Sequence, residues 1–149
     1  LNVESRLLSP IGQIVNKSQT MSNKVYIRKV MKHDMTHEVS ITSYVYYDFF
    51  EGADEVFFQI DGKGYTYNVT FNNATDLRFG GDFKSMCRIL DVKMGDYLIV
   101  SRTGDKSFSI SIVRKNTLKE RKFAPFFTGT RRHIIAILNG NDFNVQYVR

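Results

Sequence analysis

Tyr65-Thr66-Tyr67-Asn68-Val69-Thr70-Phe71 is a β-favouring run that breaks into the polar tip Asn72-Asn73-Ala74-Thr75-Asp76. The chain resumes as Leu77-Arg78-Phe79 and turns at Gly80-Gly81. A mixed segment, 83–92, leads to two more apolar runs, Tyr97-Leu98-Ile99-Val100-Ser101 and Ser107-Phe108-Ser109-Ile110-Ser111-Ile112-Val113. Arg102-Thr103-Gly104-Asp105-Lys106 joins them. β-Branched and aromatic residues suit a pleated, half-buried surface, whereas Asn, Asp and Gly punctuate it. The stretch therefore predicts strands that project a polar, cationic tip, a shape suited to an anionic partner.

Upstream, Asp61-Gly62-Lys63-Gly64 is a hairpin signal that makes 55–60 the partner strand of 65–71. Tyr44, Tyr47 and Phe50 recur at helical spacing, predicting a short helix over 43–50 with Ser43 as N-cap and Glu51-Gly52 closing it. A first strand runs from Val25 to about Met31. Lys32-His33-Asp34-Met35-Thr36-His37 forms a second polar tip, and the alternation of Val39 and Ile41 predicts a return strand. Downstream lie a charged connector at 116–122, an apolar patch around Pro125, a strand at 133–138, the turn Asn139-Gly140-Asn141-Asp142 and a last strand. Residues 1–23, with weak periodicity, Pro10 and a short helical turn expected at 11–15, read as a linker or arm before a domain spanning 24–149. Seven or more short strands with one or two short helices define a mainly β barrel or sandwich.

The 149 residues, 42% of them hydrophobic and 24% charged, fit one soluble globular domain rather than a disordered chain. A formal net charge of +6 favours polyanionic partners, since clustered Lys and Arg displace counterions from phosphate backbones. The lone Cys87 cannot form an internal disulfide and suits a reducing, cytoplasmic setting, where it is expected to pack as a small apolar residue. Without a visible signal peptide, the Asn68-Val69-Thr70 and Asn73-Ala74-Thr75 triplets read as chance rather than glycosylation sites. No apolar run approaches a membrane span of about 18 residues. A start at Leu1 instead of Met reads as a fragment or a processed product.

Catalytic motifs are sparse. His33 and His37 stand four apart, but in a loop that spacing does not align ligands, so no metal or cofactor is expected. No histidine heads the H-x-K triplet of phosphohistidine nucleases. Asp91-Val92-Lys93 and Glu120-Arg121-Lys122 match only the short half of a magnesium nuclease pattern. They read as solvated charge, and the chain reads as a non-catalytic module.

The order of features then becomes recognisable. Val69-Thr70-Phe71-Asn72-Asn73, Asp76-Leu77-Arg78-Phe79-Gly80-Gly81-Asp82-Phe83-Lys84 and Lys93-Met94-Gly95-Asp96-Tyr97-Leu98-Ile99-Val100-Ser101-Arg102 resemble the second half of a B3-type DNA-binding pseudobarrel. The run 107–115, the aromatic 43–50 segment and Phe127-Thr128-Gly129-Thr130-Arg131-Arg132 continue the likeness. It is to the target-recognition domains of restriction endonucleases of the BfiI and NgoAVII kind, more distantly to the EcoRII N-terminal domain and plant B3 domains. The resemblance covers about 25–132 and implies a seven- to eight-stranded open pseudobarrel. Two loops of that family, an N-arm and a C-arm, grip the major groove of double-stranded DNA like a wrench. By position these are about 28–42 and 72–78, which contain the two polar tips.

Arm residues vary with target sequence, so no family contact transfers to a fixed position, but chemistry assigns candidates. Arg78 and either Arg28 or Lys32 suit guanine, Asn72 or Asn73 adenine, and Asp34 or Asp76 the cytosine amine. His33, His37, Thr36 and Thr75 suit base or phosphate, and Lys29, Lys63, Lys84 and Arg88 suit phosphate. The resemblance implies a parent restriction endonuclease whose nuclease domain lies elsewhere in the polypeptide. Tyr44, Tyr46, Tyr47, Phe49, Phe50, Phe57 and Phe58 are expected in the core. Were they exposed, a single-strand-binding module of the OB type would be the rival reading, with a compact magnesium nuclease a third.

Overall fold

Val25 and Ile27 point to one side of the first strand and Tyr26 to the other, and all three are buried. A strand covered on both faces needs a layer on each side, and the rest of the chain supplies them. The computed structural model describes residues 23–72, 77–140 and 142–148. The expected linker, with its helical turn, lies outside these residues except for Asn23.

Eight strands form one open mixed sheet in the order β4-β3-β2-β6-β5-β1-β7-β8. They are β1 (Lys24–Lys29), β2 (Glu55–Ile60), β3 (Lys63–Asn72), β4 (Arg78–Phe79), β5 (Tyr97–Gly104), β6 (Ser107–Val113), β7 (His133–Asn139) and β8 (Asp142–Val148). All neighbours are antiparallel except β2 and β6, which run parallel from Phe57 opposite Ser107 to Ile60 opposite Ile110. The helices are α1 (Ser43–Asp48) and α2 (Phe83–Ile89). The mainly β, open eight-stranded architecture is the one expected.

Two clusters fill the layers. The larger unites Tyr26, Leu98, Val100, Phe108, Ile110 and Ile135 with Phe49 and Phe50 just beyond α1 and Phe83 and Met86 of α2. Phe50 is its hub, its ring lying between 4.9 and 6.3 Å from those of Phe49, Phe58, Phe71, Phe79 and Phe108. The smaller cluster packs Val25, Ile27, Ile134 and Ala136 beneath Phe123 and Phe127. Phe123 and Phe127 flank a short 3₁₀ helix, Ala124–Phe126, that contains Pro125. The apolar patch around Pro125 is therefore the outer cover of the sheet.

Local chemistry fixes the corners. Asp61 and Gly62 both take positive φ, 51° and 70°, the pair a type I′ hairpin demands. The helix cap falls one residue earlier than expected, because the Thr42 hydroxyl accepts from Val45 N at 3.3 Å. The expected aromatic core is corrected in part. Phe49, Phe50 and Phe58 are buried, but Tyr44 and Tyr47 are 49% and 68% exposed on the outer face of α1.

Candidate nucleic-acid interface

The N-arm leaves β1 at Val30 and folds into a 3₁₀ turn, Lys32–Met35. One buried ion pair holds it. Arg28 Nη2 donates to Asp34 Oδ1 at 2.9 Å, while Asp34 Oδ2 accepts from Met31 N at 2.7 Å. Arg28 also donates to Ser40 O at 3.1 Å and to the Lys29 carbonyl. The expectation that Arg28 and Asp34 meet base edges is corrected here. Both side chains are almost wholly out of solvent, at 1% and 2%, and serve as the internal staple of the arm.

The return strand expected at Val39 and Ile41 is also corrected. It reduces to a single bridge, Ser40 opposite Arg78, because the chain turns at Thr42 to enter α1. That bridge matters for the site. Ile41 N donates to Leu77 O and Phe79 N to Val39 O, both at 2.9 Å, so the returning N-arm lies against the end of the C-arm. One side-chain tie joins the arms, Asn72 Nδ2 to Glu38 Oε1 at 3.4 Å, and Lys84 Nζ of α2 donates to His37 O at 2.8 Å, tying the N-arm to that helix. The N-arm tip and the described ends of the C-arm, Asn72 and 77–78, form one surface.

On that surface Lys32, His33, Thr36, His37 and Asn72 are exposed, and Arg78 is half-buried at its base. The imidazoles of His33 and His37 stack with centroids 3.9 Å apart and planes 6° from parallel. Thr36 Oγ1 lies 2.8 Å from His37 Nδ1. Asn73, Thr75 and Asp76 lie outside the described residues.

The phosphate candidates scatter more. Lys84 ties α2 to the N-arm, as above. Arg88 is exposed one turn further along α2 and reaches Ser85 Oγ at 3.5 Å. Lys29 ends β1 with its ammonium 5.9 Å from the centre of the Tyr97 ring. Lys63 lies far from the arms: it starts the ten-residue β3 that Asn72 ends, so about 30 Å of strand separates it from the C-arm. Glu38 and Ser40, which tie the arms together, had no signal in the sequence beyond their position between two tips.

The other reactive side chains pack or pair locally. Cys87 has its thiol pushed up to about 12, chiefly by burial, so it stays protonated and packs as an apolar group. Asp91 and Lys93 pair with each other at 3.2 Å on the surface. Glu120 accepts from the Tyr97 hydroxyl at 2.7 Å, which holds its carboxyl below the ordinary range. Among the described residues no three His, Cys, Asp or Glu side chains converge as a metal site. Nor is any described helix long and apolar enough to cross a membrane.

Fold and site together define an open, mainly β domain with two cross-tied polar arms on one face. Its architecture is similar to that of the N-terminal domain of Helicobacter pylori LlaJI.R1, with a TM-score of 0.68 and 22% identity over 78% of this chain and 99% of that one. At that identity the likeness establishes the fold. No family model matches the chain, and no curated protein does.

Proposed function

We propose that this chain is a sequence-specific, double-stranded DNA-binding module that grips the major groove between its N-arm and C-arm. The observation that carries the reading is the cross-tied pair of arms. Backbone bonds from Ile41 to Leu77 and from Phe79 to Val39 hold the exposed, donor- and acceptor-rich N-arm against the end of the C-arm on a stiff sheet. Base reading requires such preorganised donors and acceptors, since one bidentate contact discriminates only when its geometry is fixed. The +6 charge supplies the sequence-independent attraction. The structural neighbour, the N-terminal domain of Helicobacter pylori LlaJI.R1, shares the open β fold on which the arms are mounted.

On this reading Arg78, Lys32, Asn72, His33, Thr36 and His37 meet bases or nearby phosphates, and Lys84 fixes the backbone. Asn73, Thr75 and Asp76 of the C-arm tip complete the set. The chain is the non-catalytic part of a cytoplasmic restriction endonuclease whose nuclease lies elsewhere in the parent polypeptide.

The exposed rings of Tyr44 and Tyr47 favour the rival reading, since flat aromatics on a small β domain can stack unpaired bases. One selection separates the two. Random duplexes captured by the chain are sequenced, and the recovered sites are competed against each of their single strands. An enriched motif that binds tighter as duplex is expected. Tighter binding of single strands, or no enriched motif, overturns the reading.

A further inference from the structure

Behind the arms, between the 3₁₀ turn and α2, lies a cleft of about 370 Å³. Its walls include Met35, Val39, Cys87 and Val92, with Phe79 and Phe83 behind them. Among the lining side chains Met35 is 42% exposed at the mouth. Gly95 N donates to Val30 O at 2.9 Å, which holds the Met94 loop against the root of the N-arm. A large apolar side chain left in water at the mouth of an apolar cleft marks a contact surface more than a scattered one does.

Its rim is cationic. Lys84 and Arg88 line the α2 side, and their described bonds go to a carbonyl and a hydroxyl, at 2.8 and 3.5 Å. Asp91, the acid near them, pairs with Lys93, and Asp34 is spent on Arg28. An occupant with carboxylates meets two cations that lack an acidic partner among the described residues. A nucleobase fits less well. Its polar edge needs fixed hydrogen-bond partners, and burying it against methionine, valine and a protonated thiol leaves those groups unmet. An aliphatic or aromatic side chain has no such need.

We propose that this groove docks an acidic segment of a partner protein, which seats one apolar side chain between Met35 and α2 and sets its carboxylates on Lys84 and Arg88. The net charge of +6 draws an acidic partner toward the surface and opposes a second copy of this chain. The groove shares Met35 and Lys84 with the proposed DNA surface, while Cys87, Arg88 and Val92 belong to no arm, so peptide and duplex binding are measured on the same variants.

A displayed library of short random peptides, selected on the whole chain, tests it. Recovered peptides are synthesised, and their binding is measured by fluorescence anisotropy to the wild type, Met35→Glu and Arg88→Glu. Both positions are exposed, and an unchanged thermal transition confirms that each variant folds. The expected result is enrichment of Leu, Met or Phe flanked by Asp or Glu. Each substitution should weaken those peptides about tenfold, the scale of one interface anchor, and salt should weaken them further. Three results overturn the proposal: no enrichment, enriched peptides without that pattern, or binding that neither substitution changes. Loss of duplex oligonucleotide binding in both variants, with no acidic peptide recovered, assigns the face to nucleic acid and also overturns it.

Discussion

Arg28 and Asp34 meet at 2.9 Å with both side chains shut away from water, six residues apart across the start of the N-arm. The carboxylate also accepts the Met31 amide, so one acid joins strand, turn and arm. Removing one partner of a buried pair strands the other charge, a loss of about 3–5 kcal/mol. Asp34→Ala should therefore lower the urea unfolding free energy by about that amount. Arg28→Lys, with Asp34 intact, should lose part of the same free energy, because an ammonium cannot reproduce the fork that reaches Asp34 and Ser40 together. An Asp34→Ala variant as stable as wild type would show that the arm is held by its backbone bonds alone.

Arg78 and Lys84 should part company in binding assays. Arg78→Ala is expected to weaken a selected duplex by about 1–3 kcal/mol while leaving random duplex nearly unchanged, the signature of a bidentate base contact. Lys84→Ala should weaken both duplexes alike and reduce the slope of log affinity against log salt by roughly one. Equal losses on both duplexes for Arg78→Ala would place its guanidinium on phosphate.

The sheet was legible because strand signals are local. Alternation in residues 65–71, the Asp-Gly turn at 61–62 and the glycine pair at 80–81 each act over a few neighbours. The arms were legible as polar tips, but not the division of labour inside them. Arg28 and Asp34 look like base readers because Arg and Asp are good ones. Only the three-dimensional path shows Arg28 turning inward under Ser40 while Asp34 turns back onto Met31. The failure at Val39 and Ile41 has a different cause. Both are buried, as alternation implies, but their backbone bonds go to Leu77 and Phe79 for only one bridge's length before Thr42 diverts the chain. Lys63 illustrates a third limit: charge says nothing about which end of a strand it occupies.

Gly81 should tolerate no side chain. Its φ is +61°, and an added Cβ would sit 2.6 Å from Asn68 O and 3.2 Å from Thr70 N. Those are backbone atoms of β3, which cannot step aside without breaking its pairing with β2. Gly81→Ala should cost at least about 1–3 kcal/mol through its conformation alone, with the clash added. Gly64, also at positive φ but with nothing within 4 Å, is the control whose alanine variant should suffer only the conformational cost. Equal losses at both sites would mean that the close approach of the 80–81 turn to β3 is unimportant.

High pH should unfold the domain from two directions. Burial pushes the Cys87 thiol up to about 12. Burial also pushes the Tyr97 phenol well above its ordinary range, helped by its hydrogen bond to Glu120 and by that carboxylate's charge. In each case the folded state holds a proton that the unfolded chain releases at lower pH. The associated stability is therefore intact below the ordinary thiol and phenol values, about 8.5 and 10, and falls as pH rises through and beyond them. Glu120 behaves oppositely. Its carboxyl is depressed, mainly by the Tyr97 hydrogen bond, so its contribution is present at neutral pH and lost as pH falls below the ordinary carboxyl range. Urea midpoints measured from acid to strongly alkaline pH should thus form a plateau that drops at both ends. Cys87→Ala should flatten the start of the alkaline fall, and Tyr97→Phe its later part together with some of the acid fall. Tyr97→Phe should also cost about 1 kcal/mol at neutral pH for the lost hydrogen bond. An alkaline limb that survives both substitutions would place the titrating group elsewhere.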